Sequence, residues 1–239
     1  MAEQNNKNGV PKEDTKKLEF DKDLENRIMA SLKPYITLEQ EVKKILESDQ
    51  IPKTGDLTSI AGKIYQKVGY LVLNYYLPNT FKESDFEIDP AKNMLKNPGI
   101  NNILTEFRLD FISIKKALSD AGGLTTDFIT QFSREVANNF FNVMLKTHSL
   151  DLMTMLENKN NEKKARDYFT NYLTKLKEDY PNLFKDRIVD SQEVDNLSKE
   201  ELHGYLFNAI TGDIIDKISM EKQRLERKKP ELNRFYKKV

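Results

Sequence analysis

The chain has 239 residues, enough for one substantial hydrophobic core or two small ones. It carries 38 basic and 38 acidic side chains, 38% hydrophobic residues and no cysteine. Disulfides, thiolate zinc sites and cysteine nucleophiles are therefore excluded, while stable folding is not.

Charge is unevenly spread. Lys217 to Val239 holds nine Lys or Arg against three Glu, a net charge of +6, so residues 1–216 carry −6. Residues 1–18 are polar, charged and aperiodic, which predicts a flexible N-terminal arm. That stretch has no apolar segment of the kind a secretory signal needs. The most apolar run, Val68 to Leu77, is about half the ~20 residues of a membrane helix and contains Asn74. The expectation is a protein of the cytoplasm, or of a particle assembled there, with no membrane partner.

From Asp21 onward, helix signals follow one another. Asp21 caps a predicted helix with Leu24, Ile28 and Leu32 on one face, stopped before Pro34. Thr37 and Gln40 have capping-box spacing ahead of Leu38, Val42, Ile45 and Leu46. After Pro52 and Gly55, Asp56 opens a long helix with the stripe Leu57, Ile60, Ala61, Ile64, Val68, Leu71, Val72 and Tyr75, closed by Pro78. A loop over 79–89 leads to Asp89-Pro90, which predicts a short helix ending near Pro98-Gly99. Ile103, Leu104, Phe107, Phe111, Ile114 and Leu118 predict one continuous helix, terminated by Gly122-Gly123.

Thr126 opens the next helix, with Ile129, Phe132, Val136, Phe140, Phe141 and Met144. Ser149 starts a separate short one reaching Leu156. Asn160 or Asn161 starts another, with Ala165, Tyr168, Phe169, Tyr172 and Leu176, closed by Pro181. Residues 182–197 lack a pattern. Ser198 and Glu201 form a second capping box before a last helix with Leu202, Tyr205, Leu206, Ala209, Ile210, Ile214 and Ile218, extending as far as Pro230. Strand signals are confined to residues 86–89 and 187–189.

The expected fold is all-α, an irregular bundle of roughly eight or nine helices with a flexible polar N-terminus and a basic C-terminal arm. The expected division is an arm over 1–18, a helical domain over 19–229 with a candidate sub-boundary at 78–99, and a docking tail over 230–239. No internal repeat is present.

Several motifs approach known chemistry and miss it. Gly55 to Lys63 places six residues between its glycines and follows its lysine with Ile64, where a phosphate loop needs four residues and then Ser or Thr. The expected role of Gly62 is to allow close packing. Asp85, Glu87 and Asp89 alternate like calcium ligands, but Pro90 and Lys96 stand where the loop needs Gly and an acid. Glu200 and His203 have the spacing of one arm of a dimetal site, but His148, the other histidine, follows Leu145 instead of Glu. Tyr70, Tyr75, Tyr76, Phe140 and Phe141 are expected in the core and not in a ligand cage. No catalytic residue, cofactor or metal ligand is assigned, and the expectation is a non-enzyme.

The C-terminal arm has two parts. Lys217 to Lys229 is read as the outer end of the last helix. Beyond Pro230, Leu232, Phe235, Tyr236 and Val239 fall at i, i+3, i+4 and i+7, four apolar anchors accompanied by Arg234, Lys237 and Lys238. So short a helix is not stable alone; it docks on its own body or orders in a partner's groove. The body's −6 makes another copy of the chain a natural partner.

The expected function is thus a structural, assembly subunit of a larger complex that grips other proteins with its terminal arms. Phage connectors and adaptors, virion scaffolds and secretion-machine subunits work in this way, an architectural analogy without a shared motif. A nucleic-acid-binding accessory protein using the same arm is the alternative, with Phe235 and Tyr236 stacking on bases. An enzyme built from Asp, Glu and Lys is the third reading.

Overall fold

Apolar stripes at steps of three and four become helices throughout the structure, a computed structural model that describes residues 19–89, 91–92, 94–179 and 193–236. The fold is all-α. Its helices are α1 (Glu19–Glu47), α2 (Leu57–Tyr76), α3 (Pro98–Glu106), α4 (Phe111–Asp120), α5 (Thr126–Leu156), α6 (Lys159–Asp179) and α7 (Lys199–Tyr236). Single 3-10 turns occupy Glu83–Phe86 and Val194–Asn196. A small antiparallel hairpin pairs β1 (Ile88–Asp89) with β2 (Met94–Leu95), Ile88 facing Leu95 and Asp89 facing Met94. The N-terminal arm over 1–18 and the strand signal at 187–189 lie outside the described residues.

The chain divides into two compact units, one of residues 30–148 with 218–239, the other of residues 1–29 with 149–217. Residues 78–99 fall inside the first.

In the first unit α2 is central. Ile60, Ala61, Ile64, Tyr65, Val68, Val72 and Leu73 are all buried, each large side chain contributing roughly 1.5–3 kcal/mol of transfer free energy. α4 packs against α2 with Phe111, Ile114 and Leu118 inward. Two glycines of α2 admit close approach by β1 and α3. A Cβ on Gly62 would come 3.0 Å from Ile88, and one on Gly69 would come 2.9 Å from Leu104. Gly62 therefore has the packing role expected of it.

A buried amide fastens the hairpin. Asn101 Oδ1 accepts from the Tyr65 hydroxyl at 2.8 Å and from the Leu95 N–H at 3.0 Å. Its Nδ2 donates to the carbonyls of Leu95 at 2.8 Å and Asn97 at 3.2 Å. Every hydrogen-bonding group of that side chain is satisfied, so its burial is not a penalty.

In the second unit, Leu152, Leu156, Ala165, Phe169, Leu173, Val194, Leu202, Leu206 and Ile210 are buried. Phe169 stacks on Tyr205 with centroids 5.9 Å apart. Arg166 of α6 donates to the carbonyls of Val194 at 2.6 Å and Leu197 at 2.9 Å, and pairs with Glu162 at 2.9 Å. One guanidinium thereby holds the segment that leads into α7.

Several helix boundaries differ from the sequence expectation. Pro34 lies inside α1 instead of ending a helix. An interior proline costs about 3 kcal/mol; burial of Leu38, Val42 and Leu46 in the turns beyond it exceeds that. Thr37 does not cap: its hydroxyl donates back to the Pro34 carbonyl at 3.3 Å.

The helix expected after Asp89 is instead the hairpin turn, in which Asp89 Oδ1 accepts the Ala91 N–H at 3.0 Å; Pro90 lies outside the described residues. Pro98-Gly99, expected as a stop, is a start: Asn97 caps the Gly99 N–H at 3.0 Å and Pro98 takes the first turn of α3.

The helix expected over 103–118 is broken. Arg108 adopts a left-handed φ of 54°, and Asp110 caps α4 through the Ser113 N–H at 2.9 Å. Ser149 starts no new helix, because α5 runs through it. α7 likewise continues past Pro230 to Tyr236.

Candidate functional site

The positions singled out as docking anchors fall at the end of α7. Leu232, Arg234, Phe235 and Tyr236 belong to its helical backbone, and their spacing places 232, 235 and 236 on one face of it. Lys237, Lys238 and Val239 lie outside the described residues. α7 has 38 residues, which at 1.5 Å per residue is about 57 Å, longer than a small domain is wide.

The chemistry-like motifs each resolve into a local structural role. Asp56 caps α2, accepting from the Ser59 N–H at 3.3 Å. Its carboxyl is held below the usual range, first by the Thr58 N–H. Lys63 donates to Gln66 at 3.3 Å on the same helix. The GDLTSIAGK segment is therefore a cap and a helical turn, not a loop around phosphates.

The acids of residues 85–89 do not converge. Asp85 accepts the Lys82 N–H at 2.8 Å, Glu87 pairs with Lys96 at 2.6 Å, and Asp89 closes the hairpin turn. Lys96 holds the Glu87 carboxyl low, and Glu87 holds the Lys96 ammonium high. Among the described residues no three His, Asp or Glu are arranged to hold a metal.

His203 has a different partner from Glu200. Its Nε2 lies 2.7 Å from the Ser149 carbonyl and 3.2 Å from the Ser149 hydroxyl. A carbonyl only accepts, so Nε2 carries the proton and donates. A serine–histidine nucleophilic pair needs that nitrogen free to take the serine's proton; here it is already spent on the carbonyl. The contact joins α5 to α7 within one compact unit. Glu200 and Glu201 are both acids of the first turn of α7, and Glu201 also closes the capping box: it accepts the Ser198 N–H at 2.9 Å while the Ser198 hydroxyl accepts the Glu201 N–H at 3.2 Å. Its carboxyl is held low, first by that Ser198 N–H.

Of the five aromatics expected in the core, Phe140 is buried and Tyr70, Tyr75, Tyr76 and Phe141 are half-buried, each packed against other rings. Phe140 stacks on Phe107 at 5.9 Å and meets Tyr75 edge-on at 6.5 Å, while Tyr70 meets Phe86 at 5.5 Å and Tyr35 lies against Phe141 at 4.6 Å. The Tyr75 hydroxyl hydrogen-bonds to Glu41 of α1. Burial first, and then that bond, push its phenol up to about 12; burial first, with Asp110, does the same for Tyr65. Tyr65 is buried and Tyr75 half-buried, and each hydroxyl is held by a neighbouring side chain.

What the sequence did not single out is a pair of adjoining clefts on the first unit. One, of about 490 Å³, is lined by Lys92, Phe111, Ile112, Lys115, Lys116, Ser119 and Asp120. The other, of about 420 Å³, is lined by Thr58, Ser59, Gly62, Lys63, Gln66, Glu87, Ile88 and Phe111. Phe111 is common to both. A signal for the first was available: Ile112, Lys115, Lys116 and Ser119 stand at i, i+3, i+4 and i+7, an exposed face of α4 beside its buried stripe. Compared with family models, with curated proteins and with solved structures, the chain matches none.

Proposed function

We propose that this chain is a non-enzymatic subunit of a larger protein assembly and that it grips a neighbour through its basic C-terminal segment, residues 230–239. The observation that carries the reading is α7 itself: one helix of 38 residues whose last part belongs to a segment of charge +6 on a chain that is otherwise −6. Like charges gathered on one terminal segment repel each other and favour an acidic surface outside it. The neighbour is another protein, either a second copy of this acidic chain or a different subunit.

The test is removal of residues 230–239 from the full chain. Circular dichroism should report unchanged helix content, apart from the turns removed. Light scattering should report loss of a concentration-dependent assembly, or co-purification the loss of a complex. Assembly that survives the deletion overturns the proposal. So does binding to generic DNA or RNA at about 50 mM salt with a steep salt dependence, which would assign the same charges to phosphates.

A further inference from the structure

We propose that the α4 face of the first unit is a second docking surface, specific for an acidic segment of a partner protein that carries an apolar anchor residue. It is independent of the basic end of α7.

Ile112 is 76% exposed. A single exposed apolar side chain needs no explanation, but this one stands on the rim of a cleft of about 490 Å³, a size that accepts one or two large side chains. Phe111 lines the same cleft and belongs to the core at 5% exposure. Ile88 lines the adjoining one. The floor is apolar; the rim is not. Lys115 and Lys116 follow Ile112 by one helical turn, Lys92 approaches from the hairpin turn, and Lys63 rises from α2.

These lysines are sparsely neutralised. Lys92 reaches Asp89 only at 3.7 Å, with its side chain 75% exposed. Lys63 bonds to a neutral glutamine. Lys115 acts on Asp56 through space, as the smallest influence on that carboxyl. Among the described residues no carboxylate forms an ion pair with Lys115 or Lys116. Of the two acids in the lining, Glu87 already belongs to Lys96, which leaves Asp120.

Charge complementarity selects the occupant. Four ammonium groups around an apolar floor fit carboxylates flanking a Leu- or Phe-like side chain, with the lysine stems adding apolar contact while their heads stay in water. The surface suits nucleic acid poorly: among its lining residues the one ring, Phe111, lies at the floor of a cleft and not on an open platform, and all four cations are lysines without the fork that grips phosphate in two places. It suits a lipid surface poorly as well, since one isoleucine supplies little apolar area for insertion.

The experiment titrates the isotope-labelled full chain with four probes and follows its backbone resonances. The probes are a short Glu-rich peptide with one central leucine, the same peptide with serine in place of leucine, oligothymidylate, and phosphatidylserine vesicles. The leucine peptide should shift residue 92 and residues 111–120, with affinity falling as salt rises. The serine peptide should bind about fivefold more weakly. Lys115→Glu with Lys116→Glu should weaken the leucine peptide about tenfold, and Lys115→Gln with Lys116→Gln by less. Ile112→Ser should erase the difference between the two peptides. No shift over 111–120, an equal response to both peptides, or tighter binding of oligothymidylate or vesicles at these residues overturns the proposal. Peptide captured by the basic end of α7 would instead move residues 217–236, so the two docking readings fail separately.

Discussion

α2 and α7 are both long helices with two glycines each, and they use them in opposite ways. In α2, Gly62 and Gly69 lie where a methyl group would strike Ile88 or Leu104. In α7, Gly204 and Gly212 have nothing within 4 Å of where a methyl would be. Glycine costs a helix up to about 1 kcal/mol relative to alanine. In α2 the close approach of neighbours offsets that cost; in α7 no neighbour does. One helix is specified by what surrounds it. The other buries Leu202, Leu206 and Ile210 but keeps its glycines clear of neighbours, and is fastened at its start by a capping box and by Arg166 on the carbonyls just before it.

The largest expected effect strikes the surroundings of α2. Asn101→Leu leaves the Tyr65 hydroxyl and both backbone groups of Leu95 without their partner, and should cost about 3–5 kcal/mol in urea unfolding. A loss under about 1 kcal/mol would mean that packing alone holds the hairpin.

Next comes the support of α7. Arg166→Met frees the carbonyls of Val194 and Leu197 and should cost about 2 kcal/mol. Arg166→Lys should recover little of it, because an ammonium cannot span two carbonyls and Glu162. Full rescue by lysine would show that charge, not the fork, matters.

The glycines test the comparison most directly. Gly69→Ala should destabilise by about 1–2 kcal/mol, overpacking against Leu104 outweighing the gain in helix propensity. Gly212→Ala should stabilise by roughly 0.5–1 kcal/mol and raise the melting temperature. Equal signs for the two substitutions would dissolve the contrast.

Alkaline pH should distinguish Tyr65. Its folded phenol is raised to about 12 against an ordinary 10.0. The unfolded chain therefore loses the proton first: the contribution to stability is complete below the ordinary value and disappears as pH rises through the folded one. Tyr65→Phe should flatten that part of the stability–pH curve, while Tyr75, raised in the same way, continues to titrate. An unchanged slope in Tyr65→Phe would show that this phenol is not protected.

Much of this architecture was legible in the sequence, and what failed did so for definable reasons. Asp56, Ser198 with Glu201, and Gly122-Gly123 act through bonds to residues no more than five positions away, so spacing reveals them. Gly122 and Gly123 adopt φ of 71° and 114°, as a helix stop there requires. Pro34 misled because burial further along α1 outweighs a local rule. The break at Arg108 was hidden because Phe107 and Phe111 keep a step of four across it. Of the candidate surfaces, the amphipathic spacing of 232–236 was visible in the sequence. The α4 face beside the Ile112 cleft was visible there too, but the cleft was not, because its other wall is a hairpin turn where Asp89-Pro90 signals a helix start.

The glycine contacts of α2 have a consequence for time as well as energy. A helix whose neighbours touch its backbone has no inexpensive local opening, so its central amides exchange with solvent only when the whole unit unfolds. The exchange rate of residues 64–72 would then serve as a clock for global unfolding of residues 30–148, readable without denaturant.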